Sequence, residues 1–375
     1  MSRLILIALL GAFLSMIPYP VSLQAQAPDG ERWSSSGPAG HAPIGVMGDH
    51  THHAGEWMLS YMFTREFRSV LRDGRNRVSV EDVYATYPMV PIDMTMDMHM
   101  GHVMYAPSDR VTLMAMFMWM DHQMDVRMAN TLMPGHGGGM HGADMAPGGP
   151  DLQEHGHGPD APFHNHAHGV SGWADSEFSA LVTVLDRDRR RVHLNLGLGI
   201  PTGSIDAEDD RMQGSGHERM PYPMQLGSGS WEARPGVTFL QQTDRLSLGA
   251  QGLSSVPLND NDAGYKWGNS LALNGWTQLR GSEWVAPGVR VQGRFWGDLS
   301  GTDPHLDPMV SPENDPDRQG GSRLSAYLSA NFQVPRGPLA GHRLAVEWGG
   351  ALAESLNGPQ MGEDWTLNVG WEYAF

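Results

Sequence analysis

Methionine and histidine, two side chains with metal-ligating atoms, alternate with polar residues from position 94 onward. Met94-Thr95-Met96-Asp97-Met98-His99-Met100 leads to His102 and Met104, and then to the row Met114, Met116, Met118 and Met120. A stretch rich in Gly, Pro and His follows, carrying His136, Met140, His141, Met145, His155, His157, His164, His166 and His168. Thioether sulfur favours Cu(I) and imidazole suits Cu(II), Zn or Ni, so the combination points first to copper, with other transition metals as alternatives. A second group, His50, His52 and His53, lies upstream. No His-Glu-x-x-His spacing occurs, so these residues are a composition and not a defined site, and no motif requires a cofactor. Methionine also packs as a flexible apolar side chain, and rows at alternate positions equally suit faces that meet lipid. For the histidines, incidental metal binding, selected metal capture and a pH-responsive loop are the open alternatives.

Catalytic chemistry finds little support. Gly227-Ser228-Gly229-Ser230 and Gly268-Asn269-Ser270 lack the Gly-x-Ser-x-Gly elbow that exposes a nucleophilic serine. The acidic run Asn259-Asp260-Asn261-Asp262 lacks the spacing of a helix-loop-helix calcium site. With no Cys in 375 residues, thiolate zinc sites, disulfide scaffolds and Cys nucleophiles are excluded. The chain reads as a non-enzyme.

The elements that must position these side chains follow from composition and period. A formal charge of −17 argues against nucleic acid as a partner, because phosphates are neutralised by Lys and Arg. Met1-Ser2-Arg3, the apolar run Leu4 to Ile17 and the small-x-small ending Ala25-Gln26-Ala27 read as a cleaved signal peptide over 1–27. Residues 28–55 read as a flexible periplasmic segment. From Trp57, period-two alternation recurs in about twelve segments, each near the 9 to 11 residues of a tilted membrane strand. Short turn-rich links (106–109, 186–189, 242–244, 280–283, 335–341) alternate with longer stretches (68–91, 121–175, 201–235, 256–267, 298–322, 353–363). Periplasmic turns and external loops of an outer-membrane barrel alternate in this way.

The fold class expected is therefore all-β: a transmembrane antiparallel up-and-down β-barrel over 56–375, with a His/Met/Gly-rich external loop at about 121–175. The outer membrane of a Gram-negative bacterium is the expected location, with the C-terminus periplasmic. If the large apolar parity meets lipid, the opposite parity lines the lumen: Thr95, Asp97 and His99; His193 and Asn195; Arg290, Gln292 and Arg294; Tyr327 and Asn331; Glu372. Arg290 and Arg294 are expected to pair with Asp97 or Glu372 as interior structure, or to attract an anion. The last strand puts Trp371, Tyr373 and Phe375 on one face and stops on Phe375, resembling the signal that barrel assembly machinery reads.

The blocks Met47-Gly48-Asp49-His50, Gly55-Glu56-Trp57-Met58-Leu59-Ser60-Tyr61, Ile200 to Asp206, Pro221 to Gly229 and Gly370 to Phe375 resemble outer-membrane transporters associated with the phenol meta-cleavage degradation pathway. The resemblance implies a barrel that moves aromatic or other small hydrophobic substrates, and it carries no functional residues. Together these readings give a channel or facilitator for a small, hydrophobic or aromatic solute, in contact with outer-membrane lipid and lipopolysaccharide. The alternative is a copper-binding protein whose barrel anchors its His/Met-rich loop.

Overall fold

The computed structural model of the chain describes residues 33–35, 37–129, 163–209 and 218–375. The expected signal peptide lies outside these residues, as do His136, Met140, His141, His155 and His157. The strands are β1 (Trp57–Gly74), β2 (Met89–Ser108), β3 (Val111–Ala129), β4 (Phe163–Trp173), β5 (Ser176–Arg187), β6 (Arg190–Ile200), β7 (Glu232–Gln242), β8 (Leu246–Pro257), β9 (Ser270–Leu279), β10 (Val285–Trp296), β11 (Gly321–Gln333) and β12 (His342–Ala374). A short helix, α1 (Val80–Tyr84), closed by a Ser79/Asp82 capping box, lies between β1 and β2.

Neighbours in sequence pair antiparallel, and β12 pairs with β1 (Met58↔Ala374) to close the sheet. β4 pairs only with the far half of β3 and continues the line of β5, which pairs with the near half. Eleven strands thus form the ring. A closed ring in which every neighbour is antiparallel needs an even number of staves, and the resolution lies in β12. Its 33 residues would stretch roughly 110 Å if straight. Instead residues 343–356 pair with β11 and 356–374 with β1. The strand doubles back at Gly358, whose φ of 104° is open to glycine. Counted by crossings, the barrel has twelve staves. The long loop expected at 353–363 is therefore a tight hairpin inside β12.

The remaining connections keep the expected rhythm, with 109–110, 188–189, 243–245, 280–284 and 334–341 short at one end. The Asp188-Arg189 turn has both residues at positive φ (53° and 55°), the type I′ geometry that suits strand twist. The first two long connections are shorter than expected, because β1 runs on to Gly74 and β3 to Ala129.

Apolar side chains cover the outside. Leu59, Leu113, Phe117, Phe178, Leu194, Leu196, Val289, Val291, Leu328, Val346 and Val369 are exposed, Leu196 by 56% and Leu328 by 64%. In water so large a patch would drive aggregation, whereas in a bilayer it meets lipid. Of the aromatic pairs, Trp57 with Tyr105 lies at the short-turn end, and Trp119, midway along β3, meets Trp173 at the end of β4.

Two expectations change inside the barrel. Thr95, Asp97 and His99 face outward, and Met94, Met96, Met100 and Met104 face the lumen. The reason is register: residues directly opposite share a face, and Phe67, Arg65 and Phe63 of the lipid side oppose Thr95, Asp97 and His99. The row Met114, Met116 and Met120 is likewise buried inside and does not meet lipid. The second change concerns the segment expected to be flexible and periplasmic. Its residues 33–35 and 37–52 lie inside the barrel at the short-turn end, with Trp33, Ala42, Ile44, Val46, His50 and His52 buried.

Candidate functional site

The N-terminal segment corks the lumen because its backbone finds partners on the wall that the wall alone cannot satisfy. Asn331 donates to the carbonyls of Pro38, His41 and Ala42 at 3.1–3.2 Å, and Arg343 donates to Ala42 O at 2.8 Å. Across the barrel, Gly48 O accepts from His193 Nε2 at 3.0 Å, and Gln251 Nε2 donates to Met47 O at 2.8 Å. Further along, Thr112 Oγ1 accepts from His52 N at 2.9 Å, and Arg191 donates to Thr51 O at 3.1 Å. The approach is close. A Cβ on Gly45 would come within 2.4 Å of Glu347 Oε1 and 2.7 Å of Arg290 Nη2.

Those two atoms belong to the ionic spine of the wall. Arg290 holds Glu347 through two bonds, 2.6 and 3.0 Å, and reaches Asn274 at 2.9 Å. Arg323 bonds Glu354 at 2.6 Å and Glu363 at 2.8 Å. Removing one partner of such a buried pair costs about 3–5 kcal/mol, because the other charge is left unpaired. Arg290 pairs with neither Asp97 nor Glu372 as expected: Asp97 bonds Arg65 on the outer face, and Glu372 bonds Arg343. His193, Asn195, Gln292, Tyr327 and Asn331 all point inward, Tyr327 under the Arg290 guanidinium at 4.0 Å.

Between the cork and the long loops lies a cavity of about 320 Å³. Arg68, Arg234, Arg294 and Arg323 project toward it, beside Trp267 and Trp296. Arg68 pairs with Glu66, and Arg234 with Glu177 and Glu232. Arg294 is exposed to the cavity, and no carboxylate lies within ion-pair distance of it among the described residues. Its guanidinium is 5.5 Å from the Trp296 ring. Residues 201–209 and 218–231, with loop 297–320, fold over the cavity, held by Tyr222 against Tyr265 and by Arg219 on Asp303 at 2.9 Å.

The opposite wall is methionine. Met94, Met96, Met120 and Met124 join Met220 and Met224 of the loops in one buried cluster. Met62, Met100 and Met116 pack on Ile44 of the cork, and Met58, Met104 and Met114 on Leu181. Histidines stand at both ends. His168 Nδ1 lies 2.9 Å from Asp209, with the His166 ring 4.9 Å away. His164 shares their inward parity on β4. At the cork end, His50 Nδ1 lies 2.7 Å from Asp49 Oδ1, while His53 is exposed near Asp109. The cork is not itself a membrane-spanning stave. Within it, burial and then Arg343 push His41 well below the ordinary imidazole range, and burial and then His50 hold His52 at about 3. Burial acts on His50 in the same sense, but the Asp49 carboxylate outweighs it and the pKa is raised.

At the C-terminus, Trp57 N donates to Phe375 O at 2.8 Å, and Phe375 N donates to Trp57 O at 2.9 Å. The Tyr373 ring stacks between His342 and Phe375. Trp371 bonds His342 at 3.0 Å, so the residues of the expected assembly signal form the seam of the barrel.

Sequence reasoning missed the cork, the inward methionine face and His41. The register of β2 on β1 carries the signal for the second. For the cork, the apolar residues Ile44 and Val46 beside Gly45 and Gly48 are a pattern that suits close packing.

No family model matches the chain, and no curated protein matches it. Among solved structures, an outer membrane channel from Pseudomonas putida F1 superposes with a TM-score of 0.57 at 13% identity, covering 88% of this chain and 99% of that one. The fold is that of an outer-membrane β-barrel. Two looser likenesses are a FadL homologue of Pseudomonas aeruginosa (TM-score 0.40, 11% identity, 85% and 90% covered) and the toluene transporter TodX of P. putida (0.41, 8%, 85% and 89%). They are too distant to bear on this chain.

Proposed function

We propose that the chain is an outer-membrane channel or facilitator for a small solute that carries an anionic group on an apolar or aromatic body. The observation that carries this reading is the cavity of about 320 Å³ with Arg294 exposed to it, flanked by Trp267 and Trp296. A guanidinium without a carboxylate partner offers a fork for an acid group, and the indoles offer faces for a ring. The P. putida F1 neighbour, described as an outer membrane channel, supports the general reading. In this proposal the short turns and the C-terminus face the periplasm, the long loops meet lipopolysaccharide, and the Phe375 seam is what assembly machinery engages. The barrel performs no catalysis.

Reversal potential across a planar bilayer under a salt gradient tests the assignment. With this cavity on the path that ions take, the wild type is expected to prefer anions and Arg294→Glu to lose or invert that preference. Equal selectivity in the two proteins would contradict the role given to the cavity.

A second reading, a barrel that binds copper, is favoured by the methionine wall with histidines at both ends. Loss of the protein would then change copper tolerance without changing solute uptake.

A further inference from the structure

The cork gathers three imidazoles. His41, Asp49 and His50 each present a ligand atom within 4.8 Å of the other two. The His41 and His50 ring centroids are 4.4 Å apart, and those of His50 and His52 are 4.8 Å apart. His50 and His52 are 1% and 5% exposed. His41 Nδ1, His50 Nε2 and His52 Nε2 are buried without a hydrogen-bond partner among the described residues. Three orphaned ring nitrogens within twelve residues of chain are costly unless something accepts their lone pairs.

The other ring nitrogens explain which form each imidazole takes. His50 Nδ1 lies 2.7 Å from Asp49 Oδ1, and His52 Nδ1 lies 3.4 Å from Glu56 Oε2. An ionised carboxylate can only accept, so the proton sits on Nδ1 of His50 and its lone pair is left on Nε2. Histidines that ligate metals are oriented by a carboxylate on the second nitrogen in the same manner. Asp49 is itself fixed, since its Oδ2 accepts from Ala42 N at 2.7 Å. Arg343 and Arg191 stand beside the cluster, but they are paired with Glu372 and Asp186, which leaves Asp49 and Glu56 to face a cation.

We propose that His41, His50 and His52, with Asp49 orienting or completing the set, bind one borderline divalent metal ion of the copper and zinc class. Imidazole donors with a carboxylate select that class over calcium or magnesium. The ion would join His41, next to the Asn331 and Arg343 wall, to His50 and His52, next to the Thr112 wall, and so fasten the two halves of the cork.

The inference is independent of the solute, and its test does not read conductance. Equilibrium dialysis of the refolded full-length barrel against Cu²⁺ in detergent counts tightly held ions. His41→Ala/His52→Ala is expected to hold one ion fewer than the wild type. His166→Ala/His168→Ala serves as the control that keeps the cork ion, seen as an unchanged copper spectrum for that ion. Asp49→Asn, which keeps the side-chain shape, is expected to weaken the site about 10- to 100-fold. An unchanged count and spectrum in folded His41→Ala/His52→Ala overturns the site. If that variant does not assemble, judged by heat-modifiable migration, wild-type copper affinity in Asp49→Asn overturns it instead.

Discussion

Burial without a partner separates residues that hold this barrel together from residues that can respond to solution. Arg290 and Glu347 are both almost fully buried and satisfy each other, which makes them structural. Glu313, in the loop that covers the cavity, is 4% exposed, and burial pushes its carboxyl up to about 8. A raised acid favours the folded loop in its protonated form. The contribution is complete below the ordinary glutamate range, about 4.3, and is lost progressively as pH rises through about 8. Hydrogen exchange or limited proteolysis of 297–320 should therefore show the loop loosening between about pH 4.3 and 8, with no further change above that, and Glu313→Gln should flatten that dependence. The same pH dependence in both proteins would count against Glu313 as the group responsible.

At the scale of elements, period two and turn chemistry were legible, and facing was not. The strand positions, the five short turns and the closing strand follow from alternation and from Gly, Pro and Asp placement. The inward face of β2 was misread because methionine is as apolar as the lipid side requires, so parity alone could not tell which face it serves. Only pairing with Trp57, Leu59, Tyr61 and Phe63 decides it. His193, Asn195, Arg290 and Tyr327 were readable because their strands put plainly polar residues against plainly apolar ones. The cork was not legible as a cork because Ile44 and Val46 beside Gly45 and Gly48 signal close packing but not the wall they pack against. One turn also stores strain: Arg189 adopts φ 55°, which suits Gly or Asn better. Arg189→Gly is expected to stabilise the barrel by up to about 1 kcal/mol in urea unfolding, less whatever its exposed pair with Asp244 contributed. Destabilisation by more than that would show that the pair, and not the turn, sets the local balance.

For the whole molecule, a lipid-facing exterior, a charged spine on one wall, methionine on the other and a cork between them describe a lumen that is shaped but obstructed. Ionic pairs such as Arg323 with Glu354 and Glu363 keep the wall rigid whether or not anything passes. The cork is different, since it is held by neutral and single-arginine hydrogen bonds to its backbone, by Ile44 against Met62, Met100 and Met116, and by close approach at Gly45. Gly45→Val would drive a side chain into the Arg290–Glu347 pair and expel the segment while leaving every strand intact. Single-channel conductance of wild type and Gly45→Val in a planar bilayer is the most direct measurement. A corked channel gives small or rare steps in the wild type and large, frequent ones in the variant; equal conductance in both, or silence in both with correctly folded barrels, would contradict a channel governed by its N-terminal segment.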